Sequence, residues 1–153
     1  MKLVLQRVRR ASVSVDGDVV GETGEGLCIL IGVAPTDTER DVRALAQKAV
    51  NLRVFDDADG KMNKSLLEIG GGVLAVSQFT LYADCGKGRR PSYAGAASPE
   101  HARSLYELFL NILADMKIKT GSGIFGARMV VEIVNDGPVT IILDSSELSE
   151  GRL

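Results

Sequence analysis

Three polar side chains interrupt an apolar stretch near the middle of the chain. Ser77, Gln78 and Thr80 lie between residues 73–76 and 81–82, which are of the types that favour strands. We expect one central and largely buried strand across this stretch. Buried polar side chains need hydrogen-bond partners or a ligand, so the two hydroxyls and the amide indicate a ligand site.

A basic loop follows the predicted strand. Lys87, Arg89 and Arg90 place three cations within four residues, and Gly86 and Gly88 loosen the backbone that carries them. Guanidinium and ammonium groups on such a loop suit the capture of anions, above all phosphate. The loop is therefore the candidate phosphate-binding element.

Composition limits the classes of function. With 153 residues and a formal net charge of -2, the chain is expected to fold as a single domain over residues 1–153. Such a charge excludes a generic nucleic-acid-binding surface, so any phosphate ligand must be met by local clusters of cations. Residues 146–153 are polar and are expected to form a frayed tail.

The termini and the cysteines predict a cytoplasmic location. Residues 1–10 interleave cations with apolar residues and lack the continuous apolar core of a signal peptide, and no run approaches the length of a membrane span. Cys28 and Cys85 fit neither a C-x-x-C motif nor a metal-binding spacing. A reducing cytoplasm without a membrane partner is the simplest expectation.

An acidic segment at Asp56, Asp57 and Asp59 invites a calcium interpretation. An EF-hand needs oxygen ligands at its first, third and fifth positions and glycine at its sixth. Counted from Asp57, the fifth position is Lys61, and Gly60 is misplaced. An ordinary acidic turn with Gly60 in a left-handed conformation is the better interpretation, and we predict no metal and no cofactor.

The first half of the chain contains strand and helix signals. Residues 2–9 and 11–15 are strand-like and lead into a turn at residues 16–18, and residues 27–33 form a continuous apolar run typical of a central strand. Thr36–Glu39 has the spacing of a capping box and is followed by apolar residues at helical spacing. A first amphipathic helix is therefore predicted to end near residues 51–53.

A second helix and a hairpin are predicted after the basic loop. Ser98 as N-cap and Pro99 at the first helical position start the helix. Residues 129–134 and 139–145 are strand-like and are separated by a turn-like segment at residues 135–138. Pro138 is either an ordinary turn proline or one held in the cis form, and the sequence leaves both open.

Two further features argue against familiar catalytic and cofactor sites. His101, the only histidine, has no Cys, Asp or Glu at ligand spacing, so we expect a surface residue and no histidine proton relay. Residues 121–126 match G-x-G-x-x-G, but a helix precedes them and a strand follows. A dinucleotide site needs the opposite order, so this interpretation is discarded.

Several segments carry a family resemblance. They are SQFTL at 77–81, GRRPSY at 88–93, TGSGIFGARM at 120–129 and NDGPVT at 135–140, supported by GKMNKSL at 60–66. In these residues the chain closely resembles the D-aminoacyl-tRNA deacylases. The agreement runs from the first strand to about Ser145, and SQFT and NDGPVT in that order are its specific motifs.

The resemblance implies a cytoplasmic homodimer that hydrolyses the ester between a D-amino acid, or glycine, and the terminal ribose of tRNA. It implies that Gly137 and a cis Pro138 project from one subunit into the pocket of the other and reject L-aminoacyl groups. The catalytic wall of the pocket is then formed by Ser77, Gln78, Phe79 and Thr80. Further substrate-binding residues are Arg7, Met129, Asn135 and Thr140. Lys87, Arg89 and Arg90 are expected to hold tRNA phosphates.

The chemistry of the substrate agrees with such a site. An amino-acid ester is already activated, so a pocket that positions it and aims donors at the developing oxyanion can suffice without a strong base. The backbone amides of Gln78 and Phe79 are candidate donors. Thr80 is either a nucleophile or a hydroxyl bonded to the backbone, and we favour attack by water assisted by the 2'-hydroxyl of the tRNA.

The expected fold class is α/β, a single domain of curved, mostly antiparallel sheets or an open barrel with two helices packed outside. Two other functions fit the same residues. A non-catalytic RNA or nucleotide-binding module would use Arg89 and Arg90 with Tyr82 or Tyr93 as a stacking surface. A serine or threonine esterase would cleave free amino-acid esters without tRNA.

Overall fold

Six strands form a mixed, nearly closed sheet in the computed structural model, which describes residues 1–148. In chain order the strands are β1 (Lys2–Val15), β2 (Asp18–Thr23), β3 (Gly26–Gly32), β4 (Phe55–Asp56), β5 (Met62–Lys64), β6 (Gly72–Ser77), β7 (Thr120–Ser122) and β8 (Val130–Asp144), of which β4 and β5 form a separate ribbon. The helices are α1 (Glu39–Asn51), the single turn α2 (Leu66–Ile69) and α3 (Pro99–Asp115). The predicted α/β class, with an open barrel and two long helices, is confirmed.

Strand β1 organises the sheet because it pairs on both of its edges. One edge pairs antiparallel with β8 over most of its length, and the other pairs with β3 in its first half and with β2 in its second half. Strands β3, β6 and β7 are parallel neighbours. Strand β7 returns against β2, where a Cβ atom on Gly21 or Gly121 would collide with the facing backbone, so these glycines allow the sheet to close.

Each face of the sheet buries an apolar layer. Leu3 and Leu5 of β1 pack towards α1 and α3, whose Leu45 and Phe109 are fully buried. The opposite layer consists of Val8, Ala11, Val13, Cys28, Leu74 and Val76. Burial raises the pKa of the Cys28 thiol to about 11, so this cysteine is an unreactive core residue.

The central strand is shorter than predicted. Strand β6 ends at Ser77, and residues Phe79–Tyr82 form a 3-10 helix. The chain can turn here because Gly32 of the neighbouring strand has no side chain. A Cβ atom on Gly32 would lie only 2.9 Å from Leu81 Cβ in the turn. The polar residues therefore lie at the end of a strand and not along it.

The predicted hairpin between residues 129–134 and 139–145 is wrong, because both segments belong to the continuous strand β8. Residues 135–138 form an irregularity at which the register with β1 shifts on either side of Val8. The long strand β1 pairs with both segments and so satisfies their backbone groups on both sides of this bulge. The Gly137–Pro138 peptide is cis, which decides between the two predicted alternatives.

Helix α1 is capped two residues later than the predicted Thr36–Glu39 box. The Thr38 amide donates to the Asp41 carboxylate at 2.8 Å. The intervening Asp37 is buried and forms an ion pair with the amino group of Met1. This contact fixes the segment as a turn, so the helix starts only after it.

Helix α3 begins as predicted, with Ser98 as its cap and Pro99 in its first turn. His101, predicted as a surface residue, is only partly exposed. Its side chain is half-buried, and Nε2 donates to the carbonyl oxygen of Asp37 at 2.9 Å. The histidine therefore ties α3 to the segment that precedes α1.

The acidic segment forms the predicted turn, with Gly60 left-handed at φ 73°. Hydrogen bonds from the Asn63 side chain and from the Lys61 and Asp59 amides lower the pKa of the Asp57 carboxyl group. This carboxylate is thus used in closing the turn.

The segment predicted as a frayed tail starts with ordered structure. Residues Ser145–Glu147 form a 3-10 turn, and Leu148 packs against the core. The rest of that prediction, residues 149–153, lies outside the described residues. Within residues 1–148, no helix is long and apolar enough to cross a membrane.

Candidate active site

A cavity of about 570 Å³ opens beyond the ends of β3 and β6. Its polar side is formed by Ser77, Gln78 and Phe79 with their backbone groups. The remaining wall is mostly apolar and includes Val76, Ala97, Ala102, Phe125, Ala127 and Met129. A largely apolar cavity with a few polar groups at one end is typical of a site for a small organic group.

The backbone amides of Gln78 and Phe79, at the end of β6, differ in whether they are hydrogen-bonded. The Gln78 amide donates to the carbonyl of Ile31 at 2.7 Å and so completes the pairing with β3. The chain then turns, and the Phe79 amide donates to no backbone acceptor within residues 1–148. Of the two candidate oxyanion donors, the Gln78 amide is therefore occupied and the Phe79 amide remains available.

The Thr80 hydroxyl is hydrogen-bonded to Gln78, and Thr80 itself is not part of the cavity wall. It accepts a hydrogen bond from the Gln78 side chain, and Thr80 does not line the cavity, unlike the other three predicted catalytic residues. Among the described residues that line the cavity, Tyr93 is the only one with an ionisable side chain. No histidine, lysine or carboxylate of the described lining is thus in position to activate a hydroxyl nucleophile.

Met129 lies against the cavity, as the resemblance implies. It packs over Gly123, where a Cβ atom would collide with the thioether sulfur. Gly121 and Gly123 therefore serve close packing, against β2 and under Met129, whereas Gly126 has a positive φ of 79° and open space around it.

Two aromatic residues of the wall were not among the predicted deacylase site residues. The Tyr93 ring packs edge-to-face on Phe79, with ring centroids 5.1 Å apart. The Phe125 ring packs against Tyr106 at 6.0 Å, and the Arg103 guanidinium lies 5.1 Å from its centroid. An aromatic residue directly after the basic loop was a usable signal for Tyr93, whereas Phe125 had no local signal.

Gly137 and Pro138 do not line this cavity and are exposed on the bulge of β8. The Asn135 side-chain amide bridges the bulge, because it donates to the carbonyl of Arg7 at 2.9 Å and to that of Val139 at 3.1 Å. Asn135 therefore positions the Gly137–Pro138 segment rather than contacting the cavity of its own chain.

Arg7 contacts the same bulge and, like Gly137 and Pro138, does not line the cavity. Its side chain is 9% exposed. Nε donates to the carbonyl of Asp136 at 3.2 Å, and Nη1 donates to the Val54 carbonyl at 2.9 Å and to an Asp56 carboxylate oxygen at 3.2 Å. The buried cation thus joins the bulge of β8 to the segment at β4.

Thr140 is exposed on β8 just beyond the bulge. Its hydroxyl accepts a hydrogen bond from the Gln6 side chain at 3.3 Å. The predicted substrate-binding residues therefore fall into two groups. Met129 lines the cavity, whereas Arg7, Asn135, Gly137, Pro138 and Thr140 lie at or beside the bulge.

The predicted phosphate-binding residues Lys87, Arg89 and Arg90 are exposed on a loop. Asp84 and Ser92 close the loop through backbone hydrogen bonds of 2.7 and 2.9 Å. Within residues 1–148, no carboxylate forms an ion pair with these cations, so they are free to bind an anion. The chain returns to the cavity wall directly after Ser92.

Known proteins are similar to this chain in sequence and in fold. The family described as D-Tyr-tRNA(Tyr) deacylase matches residues 4–144. The D-aminoacyl-tRNA deacylase of Thermus aquaticus is 54% identical over 152 residues, which are 99% of this chain and 100% of that protein. The D-aminoacyl-tRNA deacylase of Deinococcus radiodurans is 55% identical over 144 residues, which are 94% of this chain and 99% of that protein.

Two solved structures superimpose on nearly the whole chain. The c-Myc DNA Unwinding Element Binding Protein superimposes with a TM-score of 0.88 at 42% identity, covering 94% of this chain and 98% of that one. A probable eukaryotic D-amino acid tRNA deacylase superimposes with a TM-score of 0.80 at 17% identity, covering 93% and 97%, and so shares the fold. The chain therefore belongs to the D-aminoacyl-tRNA deacylases, a family of ester hydrolases.

Proposed function

We propose that this deacylase works in the cytoplasm and releases D-amino acids, and glycine carried by a non-cognate tRNA, while rejecting L-aminoacyl groups. The observation that carries the proposal is the end of β6, where Ser77, Gln78 and Phe79 line a cavity of about 570 Å³ and the Phe79 amide has no backbone acceptor within residues 1–148. This arrangement offers positioning groups and one oxyanion donor for an ester.

The proposed reaction needs no protein nucleophile. Water, assisted by the 2'-hydroxyl of the terminal ribose, adds to the ester carbonyl, and the negative oxygen of the tetrahedral intermediate accepts a hydrogen bond from the Phe79 amide. The intermediate then expels the ribose 3'-oxygen, which takes up the proton that the water has lost. The products are the free amino acid and the tRNA, and Ser77 and Gln78 act by positioning the ester.

We further propose that two copies of the chain share each site. The Gly137–Pro138 segment is exposed, firmly held by Asn135 and Arg7, and absent from the cavity of its own chain. Next to it on the sheet, Ile142 is 70% exposed and lies beside Val4. An exposed apolar side chain beside a projecting segment that hydrogen bonds hold in place fits a second copy, whose cavity would receive that segment.

Chiral selection follows from the backbone of the projecting segment. Gly137 has no side chain, so its backbone can lie close to the α-carbon of a substrate and form a wall on one side. An L-side chain would clash with this wall, whereas a D-side chain points into open space and glycine has nothing to clash. Selection by rejection explains how many D-amino acids can be accepted by one cavity.

Mixing two inactive variants tests both the shared site and the reaction. Gln78→Ala removes a group from the cavity, and Gly137→Ala alters the projecting segment, so each homodimer should lose activity. A mixture that exchanges subunits should regain about one quarter of the wild-type rate, because half of its dimers carry one intact site. No recovery after proven subunit exchange would contradict a shared site.

A second candidate is nucleic-acid binding without hydrolysis. It is favoured by the exposed cations of the basic loop and by the similarity to a structure titled c-Myc DNA Unwinding Element Binding Protein. Ester release separates the two candidates. If the protein, present in large excess over the charged tRNA, binds it but leaves the D-aminoacyl ester intact, the protein is a binding module.

A further inference from the structure

Two exposed aromatic rings form a lip at the mouth of the cavity. Phe79 is 54% exposed and Tyr93 is 42% exposed, and their rings meet edge-to-face with centroids 5.1 Å apart. Both residues line the cavity. Large aromatic side chains left in water beside a cavity indicate a surface that a flat ligand covers.

Chain neighbours and one ring contact link the groups around the lip in a definite order. Phe79 directly follows the ester-positioning residues Ser77 and Gln78, and the Tyr93 ring packs on Phe79. Tyr93 in turn directly follows Ser92, which closes the basic loop. Along this path the surface changes from polar to aromatic to cationic.

A single-stranded 3' end of tRNA presents the same order of chemistry. It has an ester at its tip, then the terminal base, then a preceding base, and phosphates along its backbone. Aromatic side chains bind unpaired bases by stacking with little regard for sequence, and neighbouring cations follow the backbone. The match assigns Phe79, which is next to the ester-positioning residues, to the terminal nucleotide. It assigns Tyr93, which is next to the basic loop, to the nucleotide before it.

We propose that Tyr93 stacks on the base that precedes the terminal adenosine of the tRNA and so makes the enzyme recognise an unpaired 3' end. This inference rests on the proposed function, because it assumes that the ester occupies the Ser77–Phe79 end of the cavity. Tyr93 is then a substrate-binding residue of the outer subsite, and the phenolic hydroxyl is dispensable for stacking.

A series of substrates of increasing length tests the assignment. The substrates are D-tyrosyl-adenosine, the D-tyrosyl ester of the cytidylyl-adenosine dinucleotide, and D-tyrosyl-tRNA. The variant Tyr93→Leu keeps an apolar side chain without a stacking face, and Tyr93→Phe keeps the ring. Met62→Ala, which removes a side chain that is 52% exposed and does not line the cavity, is the matched control.

Tyr93→Leu should raise KM about tenfold for the dinucleotide ester and for tRNA, with kcat little changed and D-tyrosyl-adenosine unaffected. Tyr93→Phe and Met62→Ala should behave like the wild type on all three substrates. An equal loss on all three substrates, or no loss on any, would overturn the inference.

Calorimetric binding of the uncharged dinucleotide provides a readout that does not depend on hydrolysis. Tyr93→Leu should bind it about tenfold more weakly than the wild type does, while binding of adenosine stays the same. Unchanged affinity for the dinucleotide would overturn the stacking role. A wild-type chain that hydrolyses none of the esters would instead contradict the proposed function, so the two failures are distinct.

Discussion

The side-chain amide of Asn135 donates a hydrogen bond to the backbone carbonyl of Arg7 at 2.9 Å, at the point where the pairing of β8 with β1 is interrupted. The Arg7 guanidinium in turn donates to the backbone of the same bulge. Asn135 and Arg7 are far apart in the sequence, but in the folded protein they are hydrogen-bonded to each other and fix the position of the Gly137–Pro138 segment. Loss of either should therefore disturb the segment that we place in the partner's site.

Arg7→Met should lower both stability and activity. The variant leaves the Val54 and Asp136 carbonyls without their donor and removes a buried cation, which should cost about 1–3 kcal/mol of the free energy of unfolding. The rate of D-ester release should fall by at least about tenfold, because misplacement of a positioning element has large effects on rate. Denaturant unfolding and single-turnover hydrolysis measure the two effects.

Arg9→Met is the matched control for this prediction. Arg9 contacts the Asp136 carboxylate at 3.1 Å, but its side chain is 77% exposed. Its removal should change stability by less than about 0.5 kcal/mol and leave the rate unchanged. Equal effects of the two variants would show that the buried contacts of Arg7 are unimportant.

Gly137→Ala should abolish turnover of D-substrates without unfolding the protein. Gly137 has φ 119°, and a Cβ atom there would lie 3.0 Å from Arg7 Nη2 and 2.8 Å from Val139 Cγ2. The segment must shift to relieve these contacts. Gly17→Ala is the control, because Gly17 also has a positive φ of 91° but has nothing within 4 Å of the added atom.

Both glycine variants should lose about 1–3 kcal/mol through backbone strain. Only Gly137→Ala should lose activity, as measured by release of labelled D-tyrosine from tRNA at a temperature where both variants are folded. Normal activity and unchanged chiral preference in Gly137→Ala would refute the proposed wall.

Thr80→Val should retain most of the wild-type kcat, because the Thr80 hydroxyl accepts a hydrogen bond from Gln78 and does not line the cavity. The described lining of the cavity also holds no histidine, lysine or carboxylate that could activate the hydroxyl. Removal of the substrate's terminal 2'-hydroxyl should instead lower kcat by about 100-fold, which is typical of a lost acid–base group. Rapid-quench measurements with both substrates check the pair. A covalent aminoacyl adduct trapped on Thr80 would contradict the water mechanism.

The double variant Arg89→Ala and Arg90→Ala should weaken tRNA binding and flatten its dependence on salt. Each lost phosphate contact lowers the slope of log K against log salt by about 0.7–0.9. Lys117→Ala with Lys119→Ala is the control, because it removes the same charge near the start of β6, at the opposite end from Ser77. An unchanged slope in the first variant would make the basic loop an ordinary solvated surface.

Local sequence signals predicted the elements that local chemistry determines. The cap of α3 at Ser98 and the left-handed Gly60 depend on residues next to them in the chain, and both were predicted correctly. The polar interruption at residues 77–80 also pointed to the candidate site, because hydroxyls and an amide are unusual in an apolar strand, and Ser77 and Gln78 line the cavity.

Features that depend on distant partners were predicted poorly. Residues 135–138 have the composition of a turn, yet they form a bulge because β1 offers continuous pairing on both sides. Likewise, the cavity wall depends on α3 and on Phe125, which reach the end of β6 only in the folded chain. Neither contact has a signature in the spacing of residues along the sequence.

The central claim is that this chain hydrolyses the ester of tRNA with a preference for D-aminoacyl groups, and one measurement tests it most directly. The rates of ester release from D-tyrosyl-tRNA, L-tyrosyl-tRNA and glycyl-tRNA are compared at equal enzyme concentration. We predict rapid release of D-tyrosine and of glycine, with L-tyrosyl-tRNA decaying only at its uncatalysed rate. Hydrolysis of the L-ester at the same rate as the D-ester, or hydrolysis of neither, would contradict the account.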